Sequence, residues 1–386
     1  MRYLLLLSSL ELGGAERQAI NFACYLQRLG FDVVIAGLSE AGVVNKICAT
    51  KGIKCISFEY RRNVYSAVQK ILNTFRKAKW SAEKRMVMSM AHRVKNYVQD
   101  EKFDVCIAYC STANATVGVL KKIYPDIVGV WYQRDAGIHD NPAGIHGEAI
   151  EYADCILANS KSCQKWIKDA YGKEAHVIHN GVELSSPIFT RKEWRSRLKV
   201  NDNELVCTMI ANLSSAKNHR FLLELWNKLL YENDSLPCRL VFAGRFDDQY
   251  ESLKEYVIEH NIEYSVDFLG QIEDVSGLLN ATDICVFSSK SEGSPNGVIE
   301  ACLQGLPVVA TDLPEIRDVV SSENYGYLFS PENIKDAISK LLIFMKDADL
   351  RHRVGQKNRE FAIRMFSPAD NYSMIVNCID KFSVRN

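Results

Sequence analysis

Two carboxylates eight residues apart, Glu292 and Glu300, bracket the turn Gly293-Ser294-Pro295-Asn296-Gly297. Carboxylates accept hydrogen bonds from hydroxyls, and a glycine-rich turn that opens a helix offers backbone N–H groups to an anion. A ligand carrying both hydroxyls and phosphate suits that combination, and a sugar nucleotide is such a ligand. The elements that must hold these groups can be read from hydropathy. The apolar run Ile284–Phe287 reads as a buried strand ending just before Glu292. After the turn, Val298, Ile299, Ala301, Cys302 and Leu306 are apolar with a helical pattern, which predicts Glu300 in a helix's first turn. A Glu pair at this spacing is common by itself; the Gly-rich turn, the strand before it and Gly305-Leu306-Pro307-Val308-Val309-Ala310 after it make the pair informative.

The same alternation runs through the whole chain. Short apolar runs at Tyr3–Leu7, Asp32–Leu38, Lys54–Phe58, Asp104–Tyr109, Ile127–Tyr132, Cys155–Ala158 and His176–Ile178 are separated mostly by helix-length segments such as Ala15–Leu29 and Ser160–Ala170. It repeats at Leu205–Ile210, Arg239–Phe242, Val266–Leu269, Ile284–Phe287 and Val308–Ala310. Strand–helix alternation with buried strands predicts an α/β fold of two parallel sheets covered on both faces, with ligands at the strands' carboxyl ends. Asn180-Gly181-Val182 ends a strand and Ser185-Ser186-Pro187 reads as a linker. The expected division is a first domain over 1–184, a second over 185–365, and a helical tail from 366 to 386.

At 386 residues the chain suits two domains. It is 47% apolar and 24% charged with zero net charge, the composition of a soluble globular protein, and nothing global points to nucleic acid. Met1–Ser9 has too short an apolar run for a signal peptide and reads as a first strand. Twelve cysteines are scattered without a CxxC, which reads as buried small apolar residues in a reducing, cytoplasmic compartment. The histidines form no metal-spaced set, and Asp347-Ala348-Asp349 lies between two helical segments, so no metal is expected.

The run Glu292-Gly293-Ser294-Pro295-Asn296-Gly297-Val298-Ile299-Glu300-Ala301 resembles the donor loop of the large retaining glycosyltransferase family numbered four (glycosyltransferase group 1). In that family a Glu, seven residues and a second Glu face the donor sugar. The resemblance is strong over 205–320, fair over 1–20 and weak between about 60 and 150. It implies the GT-B architecture, two Rossmann-like domains facing across a cleft, with a last helix crossing back to the first. The first domain would bind acceptor and the second the nucleotide-sugar donor. Carried onto this chain, it makes Glu292 and Lys217 the catalytic pair. Glu292 and the N–H groups of Ser294, Pro295's successor Asn296 and Gly297 would hold the sugar, Glu300 the ribose, and the amides around Val298 and Ile299 the diphosphate. Gly13 and Gly14, in the βα turn after the first strand, resemble the family's N-terminal Gly-Gly loop. Asn212 stands where many relatives have an arginine, which removes a cation from the diphosphate site; Arg245 is the candidate substitute. Pro314-Glu315 and Asp318 likewise depart from the family's usual residues, so the 311–318 loop reads as structural.

Two further segments carry expectations. Relatives often have a histidine near the reacting sugar in the region of Trp131 to Asp140, and Gln133, Arg134, Asp135 and His139 all remain open for that place. Residues 61–102 hold eleven basic and three acidic residues, +8 in all. Apolar residues at helical spacing accompany them: Val64, Val68, Ile71, Leu72 and Phe75, then Met86, Val87, Met90, Val94 and Val98. That pattern predicts a basic amphipathic surface docking on an anionic membrane face, with a solvated basic helix as the alternative. The functional expectation is a retaining transfer from a nucleoside diphosphate sugar, UDP by family habit, to a saccharide or lipid-linked saccharide in polysaccharide synthesis, with no other cofactor. The alternative is a non-catalytic donor-binding or scaffolding relative of an active transferase.

Overall fold

The computed structural model describes residues 1–58, 76–135, 137, 140–232 and 237–383. They divide into two compact units: Met1–Gly181 together with the chain from Pro368 on, and Val182–Ser367.

The first unit runs β1 (Arg2–Leu7), α1 (Gly14–Arg28), β2 (Asp32–Gly37), α2 (Val43–Thr50), β3 (Lys54–Ser57), α3 (Arg76–Glu101), β4 (Val105–Tyr109), α4 (Ser111–Ile123), β5 (Val128–Gln133), α5 (Ile145–Ile150), β6 (Cys155–Ala158), α6 (Lys161–Tyr171) and β7 (His176–Val177). Its sheet is parallel, in the order β3-β2-β1-β4-β5-β6-β7. The period of two along β1 sorts its side chains: Tyr3, Leu5 and Leu7 join one apolar cluster, Leu4 and Leu6 another on the opposite face. Both faces are covered, which is why these strands read as unbroken apolar runs.

The second unit runs α7 (Arg191–Arg197), β8 (Leu205–Ile210), α8 (His219–Glu232), β9 (Cys238–Ala243), α9 (Tyr250–Glu259), β10 (Val266–Phe268), α10 (Val275–Ala281), β11 (Ile284–Phe287), α11 (Asn296–Gln304), β12 (Val308–Thr311), α12 (Pro314–Arg317), β13 (Leu328–Phe329), α13 (Ile334–Lys346) and α14 (Ala348–Met365). Its sheet is again parallel, ordered β10-β9-β8-β11-β12-β13. Asp347 starts α14 by accepting the Leu350 N–H at 2.8 Å on Oδ1, a helix-capping role. The Asp312 carboxylate is held by Arg317 at 2.6 Å within the 311–318 segment. Buried Asp274 collects four donors: the Ile188 and Gly277 N–H groups at 2.9 and 3.0 Å, Phe189 N–H at 3.0 Å and the Trp194 indole at 2.7 Å. Burial alone would push its carboxyl up; those donors outweigh it and hold it below the usual carboxylate range.

The last helix, α15 (Pro368–Ser383), belongs to the first unit. Tyr372, Ile375, Val376 and Ile379 are buried in the cluster that contains Tyr3 and Leu5, and the Tyr372 ring lies 5.4 Å from Phe22. The Tyr372 hydroxyl and Gln18 Nε2 both donate to the Gly181 carbonyl, at 3.2 and 2.9 Å.

The structure corrects the reading of α3. Val87, Met90, Val94 and Val98 are at most 1% exposed and pack into the first unit's core. Half-buried Met86 packs against the same core. This stripe is a core face, with no area left for lipid. Val64, Val68, Ile71, Leu72 and Phe75 lie outside the described residues. Among the described residues no helix is long and apolar enough to cross a membrane.

Candidate functional site

In each sheet the strand order reverses between the first strand and the fourth, and loops leaving those two strands in opposite directions open a crevice at their carboxyl ends. In the second unit the two strands are β8 and β11. Lys217 comes from the loop after β8, and Glu292 from the loop after β11.

The structure brings these two together. Lys217 Nζ lies 2.7 and 2.6 Å from the two carboxylate oxygens of Glu292. The Glu292 side chain is 8% exposed and that of Lys217 27%. Lys217 ends a single 3-10 turn, Ser215–Lys217, followed by Asn218 in the left-handed region at φ 54°. His219 then starts α8, is 1% exposed and meets the Phe242 ring edge-on at 5.1 Å. Burial, aided by the Lys217 charge, pushes its imidazole down to about 4.

The turn from Gly293 leads into α11, whose N-cap is Pro295. Gly297 is required by space: a methyl group there would run into the Ile210 carbonyl oxygen at the end of β8. Gly244 plays the same part after β9, facing the Ala211 carbonyl. These close approaches draw the neighbouring segments onto the end of β8. Ser294 Oγ is enclosed with no hydrogen-bond partner among the described residues.

Three expectations need correction. Glu300 is the fifth residue of α11, in its second turn, because Asn296 and Gly297 are already helical; it is 7% exposed. The N–H groups of Val298 and Ile299 donate to the Pro295 carbonyl at 3.0 and 3.1 Å, and both residues are fully buried. Both amides are thus taken up within the chain. Asn212 is a tie between loops: its Oδ1 accepts the Arg245 N–H at 3.1 Å, and the Leu213 N–H donates back to the Arg245 carbonyl at 3.0 Å. The Arg245 guanidinium is held by Asp247, at 2.7 and 3.2 Å.

In the first unit, Gly13 is the N-cap of α1 and Gly14 its first residue, at the end of the β1 loop. Gln133 ends β5 rather than following it. It is fully buried, accepting from the Trp131 indole at 2.9 Å and donating to Asp140 at 2.9 Å, which makes it part of the frame. Arg134 is 9% exposed; it donates to Asn180 Oδ1 at 2.6 Å and lies 4.8 Å over the Tyr132 ring. Asp135 Oδ1 accepts the Gly137 N–H at 2.9 Å. His139 lies outside the described residues. Buried His146, which the sequence did not single out, bonds Ser111 Oγ at 2.8 Å beside these groups. Among the described residues no group of three or more His, Cys, Asp or Glu could hold a metal ion.

Comparison with known proteins agrees with this geometry. Residues 12–186 match the model of Glycosyltransferase Family 4, and residues 190–361 that of Glycosyl transferases group 1. The α-monoglucosyldiacylglycerol synthase of Streptococcus pneumoniae is 30% identical over 226 residues, 55% of this chain and 50% of that one. The UDP-Gal:α-D-GlcNAc-diphosphoundecaprenol α-1,3-galactosyltransferase of Escherichia coli is 28% identical over 272 residues, 64% of this chain and 67% of that one. The chain thus spans about half the length of the first and two thirds of the second. The structure of Anabaena HepE in complex with UDP and glucose is 18% identical and matches with a TM-score of 0.80, covering 99% of this chain and 100% of that one. At that identity the likeness speaks for the fold, which is GT-B. With two family models covering nearly all of it, the chain belongs to the glycosyltransferases of group 1, family 4.

Proposed function

We propose that the chain moves a sugar, with retention, from a UDP-sugar to a hydroxyl of a saccharide or lipid-linked saccharide in polysaccharide biosynthesis. The observation that carries the reading is the Lys217–Glu292 pair in the crevice between β8 and β11. A cation and an acceptor-only carboxylate, side by side, the carboxylate in the loop that leads into α11, match a diphosphate joined to a polyol.

In this reading Lys217 offsets the negative charge that grows on the departing diphosphate. Glu292 and the turn amides ahead of α11 hold the donor sugar's hydroxyls, and Glu300 the ribose hydroxyls. A donor phosphate oxygen takes the acceptor's proton on the face the leaving group departs from. Glu292 is needed for hydroxyl binding and is not assigned as a covalent nucleophile, a role that requires the opposite face of the sugar carbon. Gly13 and Gly14 leave the backbone of the β1 loop open to close approach by a ligand. The nucleotide sugar is the only small molecule the reading calls for besides the acceptor.

Both named relatives favour a lipid-borne acceptor: one is named for a glucosylated diacylglycerol, the other for UDP-Gal and a diphosphoundecaprenol saccharide. Peripheral contact with a membrane's cytoplasmic face through 61–102 fits such an acceptor. Within α3 it would rest on exposed residues such as Arg85, opposite the buried stripe.

Thermal unfolding with UDP, GDP, ADP and their sugar conjugates tests the donor site. A ligand at about a hundred times its dissociation constant adds about 2.7 kcal/mol. Stabilisation by uridine compounds, lost in Glu300→Ala, supports the reading, and stabilisation by none of the nucleotides rejects it. Turnover with a lipid-linked saccharide separates an enzyme from a scaffold, which binds donor and transfers nothing.

A further inference from the structure

Two adjacent serines follow β11, and the proposed reaction uses neither. Ser288 and Ser289 are 2% and 1% exposed. Their hydroxyls differ sharply. Ser288 Oγ lies 2.8 Å from the Asn218 carbonyl oxygen and 3.1 Å from that of Lys217, so one O–H is shared between two acceptors. Ser289 Oγ has no hydrogen-bond partner among the described residues. Two residues beyond Ser288, the Lys290 N–H donates to the Ala216 carbonyl at 2.9 Å. Three successive carbonyls of the β8 loop, at 216, 217 and 218, are therefore gripped by one short stretch of the β11 loop.

The grip falls where the backbone needs it. Asn218 has φ 54°, a left-handed conformation that asparagine tolerates better than most non-glycine residues, and the two carbonyls that Ser288 bonds stand on either side of this bend. Lys217 is the residue before that bend. Its ammonium sits on a flexible four-carbon stem, so the direction in which the backbone launches the stem decides what Nζ can reach. Glu292 lies four residues after Ser288 on the same loop. The Ser288 bonds thus fix the launch point of the lysine relative to the segment that carries its carboxylate partner.

We propose that Ser288 is a positioning residue for the donor reaction: its hydroxyl holds the 217–218 bend so that Lys217 is aimed at the β-phosphate. This rests on the donor-site reading above. Ser288 touches no substrate and acts through Lys217 alone.

Calorimetric binding of UDP and of UMP to the full chain tests it, using Ser288→Ala, Ser289→Ala, Lys217→Ala and the Ser288→Ala/Lys217→Ala double variant. UMP lacks the β-phosphate, and its binding also reports that each variant is folded. Losing the shared hydrogen bond should weaken UDP about tenfold in Ser288→Ala and leave UMP unchanged. Ser289→Ala should bind both nucleotides as the unsubstituted chain does. The double variant should bind UDP no more weakly than Lys217→Ala, because the serine has nothing left to aim. Equal losses for UDP and UMP, or losses that multiply in the double variant, overturn the assignment. If Lys217→Ala leaves UDP affinity unchanged, the donor-site reading falls and the assignment with it. A loss in Lys217→Ala together with multiplying losses rejects Ser288 alone.

Discussion

Lys217 and Glu292 face each other in the absence of donor, so a diphosphate that needs the lysine must take it from the carboxylate. The strength of that competition follows from the geometry. Both nitrogen–oxygen distances are below 3 Å, with Glu292 8% and Lys217 27% exposed. Unit charges about 4 Å apart attract by about 4 kcal/mol at an effective dielectric constant of about 20. Dehydrating the carboxylate and ordering the lysine stem cancel much of this, leaving about 1–2 kcal/mol. UDP lacks the transferable sugar that Glu292 would hold, so toward UDP the carboxylate is a competitor only. Glu292→Gln keeps the side chain's shape and removes its charge. The expected outcome is UDP binding about five- to thirtyfold tighter in the variant. UDP-glucose, whose hydroxyls lose a charged acceptor, should gain less, and transfer should fall. Calorimetric titration of both ligands at one fixed ionic strength measures this. UDP affinity equal to or weaker than that of the unsubstituted chain would refute the competition.

Two predictions concern stability and pH. Asp274→Asn leaves the amide group facing donors that need an acceptor, and should cost the second unit about 2–4 kcal/mol in urea unfolding at neutral pH. Since the folded Asp274 carboxyl lies below its ordinary 3.8, its contribution is present above that value and lost as pH falls through the folded one; the variant's deficit should shrink in acid. His219 works over a higher window. Its imidazole is lowered from 6.5 to about 4, so the unfolded chain binds the proton first, and stability is full above 6.5 and declines toward 4. The decline amounts to about 3 kcal/mol, and His219→Leu should flatten it in unfolding curves taken across that range.

Much of the fold could be read from the chain because a doubly covered parallel strand needs an unbroken apolar run, and runs such as Leu205–Ile210 and Ile284–Phe287 coincide with β8 and β11. Leu328–Phe329, two apolar residues between Tyr327 and Ser330, was not among the expected strands. The site was legible residue by residue and obscure in its pairings. Lys217 and Glu292 stand 75 positions apart, and only the crossover between β8 and β11 makes them neighbours. Local hydropathy predicted that α3 is amphipathic, yet it cannot tell a core from a membrane: Val87, Met90, Val94 and Val98 satisfy either. Asn212 and the amides of Val298 and Ile299 were expected at the diphosphate from a family pattern. Their hydrogen bonds to Arg245 and Pro295 depend on how loops close, which spacing does not encode. Ser288 carries no sequence signal that separates it from Ser289; only the carbonyls of Lys217 and Asn218 do.

The position of α15 fixes the order in which the molecule can be completed during synthesis. The second unit is one uninterrupted stretch, Val182–Ser367, and every strand and helix it needs has been made once that stretch has emerged. The first unit began earlier but stays unfinished, since Tyr372, Ile375, Val376 and Ile379 fill its core beside Tyr3, Leu5 and Phe22. A chain ending just after Ser367 would therefore hold every strand and helix of the second unit and a first unit with an open apolar face, the species on which a chaperone would act.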